Sequence, residues 1–127
     1  MEVTYRTKNG RMSCVFEGKG HSDIHEQIAS FQEVFEENAC GKCGSDDIKF
    51  VVRIAKDGKE EFTYHEMRCN KCGAKLSLSQ KNDKTGSLFP VRFERDGKEY
   101  KKDANGKMIP KGKNGWVKYN PATQKEE

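Results

Sequence analysis

The pentapeptide CGKCG at residues 40–44 returns almost unchanged as CNKCG at residues 69–73, with 25 residues between Cys43 and Cys69. A CxxC turn offers two thiolates from one short stretch of backbone. The glycine after each second cysteine suits the positive φ that such a turn needs. Two turns supply four sulfurs if the chain between them doubles back, and 25 residues are enough for a hairpin. The near-repeat therefore reads as two halves of one tetrahedral metal site with Cys40, Cys43, Cys69 and Cys72 as ligands. One structural zinc per chain is expected, because four thiolates leave no open position for catalysis. An iron–sulfur centre also takes four thiolates, but the spacing favours zinc. A redox CxxC of the thioredoxin kind needs one motif beside a strand–helix unit, not two around a hairpin.

Composition explains why a metal is wanted. Only 33% of the 127 residues are hydrophobic and 35% are charged, so apolar residues for a core are scarce. No run approaches the roughly 18 apolar residues of a membrane span. The start, MEVTYRTKNG, lacks the apolar core of a secretion signal, and the cysteine count is odd. The expectation is a soluble protein of a reducing cytoplasm. Charge is uneven: residues 1–39 carry 4 basic and 7 acidic residues, 40–79 carry 8 and 6, and 80–127 carry 12 and 7. The basic character lies in the middle and C-terminal parts.

The pattern of elements is α+β. Asn9-Gly10 between VTYRTK and RMSCVFE predicts a hairpin with a two-residue type I′ turn. Residues 22–38 read as a helix, with Asp23 and Glu26 as a capping-box-like start. Its apolar stripe, Ile24, Ile28, Phe31 and Phe35 with Val34, is expected to cover the hairpin. Between the cysteine pairs, IKFVVRIA and EFTYHEMRC read as strands around a turn at Lys56-Asp57-Gly58-Lys59, and AKLSLSQ as a third strand. From Lys81 the chain is Lys-, Gly- and Asn-rich, with FPVRFER and GWVKYNP as extended islands and residues 101–115 as a loop. Three segments follow: a hairpin and helix over 1–39, a ribbon over 40–80 and a basic extension over 81–127, expected to fuse into one compact unit.

Residues 38–80 resemble the zinc-ribbon fold group, in which one knuckle leads into a β-hairpin and the other into a third strand. The whole chain is similar to small zinc-ribbon proteins encoded by bacteriophages near replication and recombination genes. FQEVFEENACGKCG, RCNKCGAKL and NGWVKYNPATQKEE carry that resemblance. It implies single-stranded DNA binding in the bacterial host cytoplasm.

The residues themselves suggest the same partner. Lys49 and Arg53 share one face of the first ribbon strand, opposite Ile48, Phe50, Val52 and Ile54. Arg68 and Lys75 lie on the next two strands, and Arg92, Trp116, Lys118 and Tyr119 mix cations with rings further on. Single-stranded nucleic acid wants this mixture, cations for phosphates and rings for bases. The competing reading is a solvated surface with aromatic plugs for a small core. RNA remains an alternative ligand. A protein-interaction adaptor docking on a replication, recombination or host transcription factor is the alternative function. Cys14, between Met12 and Phe16 at i±2, reads as a core residue, and His21, His25 and His65 as ordinary surface or strand positions. No nucleophile–base pair, phosphate-cradling glycine loop or carboxylate cluster occurs, so no catalysis is expected.

Overall fold

A computed structural model describes residues 1–82 and 85–127. The chain is α+β, opening on a hairpin and then a helix. Its packing groups residues 1–38 with 80–89, and residues 39–79 with 90–127. Among the described residues no helix is long and apolar enough to cross a membrane.

In the first unit, β1 (Glu2–Arg6) pairs antiparallel with β2 (Ser13–Glu17), Arg6 facing Ser13. The turn is not the expected two-residue type I′. Gly10 has a φ of 74° but Asn9 does not share it, and residues 7–12 form a wider loop. Buried Thr7 builds that loop: its hydroxyl donates to Asn9 Oδ1 at 2.7 Å and accepts the Met12 N–H at 3.1 Å. A local side-chain bond has outcompeted the tight turn.

The helix α1 (His21–Phe35) begins one residue earlier than the sequence predicts, with Gly20 as N-cap and no side-chain cap bond. Asp23 sits in the first turn, where it accepts the Lys19 N–H at 3.3 Å and favours the helix dipole. The apolar stripe faces β2 as expected. Ile24 and Val34 are buried, and Phe31 meets Tyr5 and Phe16 edge-on, with centroids 5.9 and 5.4 Å apart. Glu36 opposes the dipole at the helix end, but its Oε1 accepts the Lys8 N–H at 2.9 Å. That bond explains an acid in an unfavourable place.

The second unit is built on β3 (Ile48–Asp57), β4 (Glu60–Cys69) and β5 (Lys75–Gln80). β3 and β4 form a long hairpin around Gly58-Lys59, with Asp57 opposite Glu60. The sheet order is β3-β4-β5-β6, where β6 is Leu88–Pro90, and β9 (Trp116–Val117) also pairs with β5. Two small hairpins complete the unit: β7 (Arg95–Asp96) with β8 (Glu99–Tyr100), and β10 (Tyr119–Asn120) with β11 (Lys125–Glu126). A type I′-like turn does occur at the third Asn-Gly step, Asn114-Gly115, before β9. Asn114 and Gly115 have φ of 53° and 92°, and Lys113 and Trp116 exchange backbone bonds of 3.0 Å.

The core of this unit is small. Met67, Leu76 and Trp116 are fully buried and pack with Cys40, Cys69 and Ala74, while Ile48, Cys72 and Leu78 close the margin. Cysteines form one wall of it. By contrast Phe50, Val52 and Ile54, on the same sheet face as this core, are 51%, 64% and 59% exposed toward the far end of the hairpin.

Candidate metal centre and the adjoining cation face

The two knuckles fold alike because their backbones bond alike. Gly44 N–H donates to the Cys40 carbonyl at 2.9 Å and Gly73 N–H to the Cys69 carbonyl at 3.0 Å. Cys40 N–H donates to Ser45 and Cys69 N–H to Ala74, at 2.8 and 2.9 Å. The closing glycines have φ of 77° and 81°, a conformation that costs a side chain strain. Each knuckle turns a backbone N–H onto its own first sulfur: Lys42 to Cys40 Sγ at 3.3 Å, Cys72 to Cys69 Sγ at 3.4 Å.

The four sulfurs converge. All lie within 4.8 Å of one another, with Cys40 to Cys72 at 3.6 Å and Cys43 to Cys69 at 3.5 Å. Metal–sulfur bonds of about 2.3 Å in a tetrahedron place sulfurs about 3.8 Å apart. The cluster therefore has the size and the soft donors to hold one metal ion. Asp47 joins the halves, its carbonyl and Oδ1 accepting the backbone N–H and side-chain Nδ2 of Asn70, each at 2.9 Å.

The thiols are not equivalent. The Cys72 N–H bond is the main influence lowering Cys69, which overcomes burial to reach about 6. Cys72 receives the Ala74 N–H, but burial and its three neighbouring sulfurs prevail and push it up to about 11. Four close thiols resist shared ionisation, and a bound cation would remove that resistance.

Beside this centre the register aligns Lys49, Arg68, Lys75 and Val117 in a row across four strands, with Arg53 opposite Tyr64 two rows along the same face. Between them Glu66 is buried, at 3% exposure. Its Oε1 lies 2.8 Å from Arg68 Nη2 and 3.4 Å from Arg53 Nε, and its Oε2 lies 3.9 Å from Lys75 Nζ. Burial works against the charge on Glu66, but the Arg68 bond, the Arg68 and Lys75 charges and the Arg53 bond outweigh it, so its pKa is lowered. Lys75 Nζ also reaches Glu126 Oε1 at 2.9 Å. The predicted cations are thus gathered on one face, but around an acid.

Of the other predicted contacts, Trp116 is corrected. It is 0% exposed, in the core against the knuckles, and cannot stack on a base. Its indole Nε1 is buried with no hydrogen-bond partner among the described residues. Arg92 Nη1 donates to the Asn114 carbonyl at 2.5 Å, bracing the turn before Trp116. Lys118 is exposed, and Tyr119 is 57% exposed on β10. Alternation in the sequence sets Phe62 and Tyr64 on the face of Arg68 without singling them out as contacts; they are 42% and 44% exposed there, with the Arg53 guanidinium 4.5 Å from the Tyr64 ring centroid. The Asp57-Gly58 turn contained the signal: counting back from it sets Arg53 opposite Tyr64 and Lys49 opposite Arg68.

No family model, curated protein or solved structure matches the chain.

Proposed function

We propose that the chain is a non-catalytic zinc-ribbon protein that binds single-stranded DNA with little sequence preference, in a phage replication or recombination setting. Zinc is the metal that four thiolates in two knuckles suit best, and it stands in for the core that the composition lacks. The observation that carries the reading is the exposed pair Tyr64 and Phe62 on the same face as Lys49, Arg53 and Arg68. Rings offer stacking platforms for bases of any identity, and the cations follow the phosphates. The interface is narrower than the sequence suggests, because Glu66 and Glu126 offset two of the four positive charges of Lys49, Arg53, Arg68 and Lys75.

Fluorescence anisotropy with labelled single-stranded, duplex and RNA oligonucleotides tests it. Tyr64→Ala should weaken single-strand binding by about 1–3 kcal/mol, the usual value of one stacked base. Its melting temperature should hold, since the ring is half exposed. Absence of binding to any oligonucleotide at low salt by the folded, zinc-loaded protein would replace this reading with the adaptor.

A further inference from the structure

β3 is ten residues long and stands at the edge of its sheet. Among the described residues no strand pairs with its outer side. Folded proteins usually shorten, charge or cover such an edge, because its free N–H and C=O groups recruit another strand. Here the cations Lys49 and Arg53 lie on one face, and the other carries Val52 and Ile54, each more than half exposed, with Lys56 only at its far end. We propose that β3 pairs antiparallel with β3 of a second copy of this chain, about a two-fold axis through Val52.

The self-complementarity of the strand carries the inference. A dyad on Val52 sets Val52 opposite itself, Phe50 opposite the second copy's Ile54, and Ile48 opposite its Lys56. On the other face it sets Arg53 opposite Val51 and Lys49 opposite Ala55. Residues 48–56 all find partners, the apolar rows become neighbours, and no two cations meet. Other registers do worse. A dyad on Arg53 opposes two guanidinium groups, and one on Val51 opposes Lys49 and Arg53, both destabilising pairings. A dyad on Ile54 runs Phe50 into the turn at Gly58. A dyad on Phe50 carries Ile54 past the end of the strand to Asp46. Parallel pairing turns one copy over, lining its Lys49 and Arg53 up with the other's apolar row. An isologous contact closes after two copies, so the edge is consumed without fibre growth. It also leaves both cation faces on the same side of one continuous sheet.

Light scattering on the full zinc-loaded chain should return twice the 14.5 kDa chain mass. Val52→Lys places two ammonium groups on the dyad and should return the mass of one chain, with zinc content unchanged and a melting temperature that no longer rises with protein concentration. A cysteine trap reads the register independently of that variant's folding. Facing Cα atoms in an antiparallel pair lie about 4.5–5.5 Å apart, within disulfide range. In a Cys14→Ser background, Val52→Cys should cross-link to its own copy under mild oxidation, and Ile54→Cys should not. Wild-type chain that stays monomeric on concentration, a dimer that survives Val52→Lys, or a stronger cross-link at position 54 than at 52 would each overturn the proposal.

Discussion

Position 41 differs from its counterpart 70 in two otherwise matching pentapeptides, and the difference has a physical cause. A Cβ on Gly41 would lie 2.5 Å from Trp116 Cδ1 and 2.7 Å from the Lys113 carbonyl, whereas Asn70 is exposed and bonds Asp47. Gly41→Asn should therefore cost about 1–3 kcal/mol by overpacking. Asn70→Gly should cost less than that, and denaturant melts of the two variants check the asymmetry. Glu66 is the other decisive residue. Its lowered pKa means that it stabilises the fold above its unfolded value near 4.5, and that this contribution is lost as pH falls through the folded value. Glu66→Gln should lose about 1.5–3 kcal/mol near neutrality, as expected for hydrogen bonds to a charged group. The gap to wild type should then close as the pH is taken below the unfolded value. Paired melts across that range measure it, and the comparison cancels acid loss of metal common to both proteins.

The knuckles, as elements, hold the second unit together by supplying a wall of its core. Folding and metal binding are then one equilibrium, with about ten kcal/mol at stake in small fingers. Cys69→Ser should abolish metal binding and loosen the β3–β4 hairpin, because Cys69 belongs both to the sulfur cluster and to the buried core. Cys14→Ser should leave metal stoichiometry at one per chain, since Cys14 lies on β2 and outside the sulfur cluster. Elemental analysis of the two purified variants separates the roles. The hairpin's far end has no such support. Val52 and Ile54 there are more than half exposed.

For the whole molecule, a net charge of +4 spread over 24 cations and 20 acids is a modest field. Nucleic-acid affinity should accordingly come from local contacts and fall with salt, by about 0.7 in log K per log salt for each phosphate neutralised on a single strand. Lys49 is exposed and outside the Glu66 cluster, so Lys49→Ala should remove about one such contact from the slope. The loss of Lys75 should show less, because it already serves Glu66 and Glu126. Salt titrations of the two variants side by side test that ranking.

Spacing and alternation made the four-cysteine cluster, the three central strands and the helix stripe legible without coordinates. Those features depend on local geometry: two residues inside a CxxC, period two in a strand, three to four in a helix. The fate of individual rings and charges was not legible, because it depends on what arrives from distant sequence. Trp116 has the same composition signature whether it plugs a core or stacks on a base, and only the pairing of β9 with β5 buries it. Arg53, Arg68 and Lys75 look like free phosphate contacts until register brings Glu66 between them. Val52 and Ile54 alternate as a buried face does, but each is more than half exposed. Local periodicity decides which way a side chain points, and tertiary packing decides what it meets.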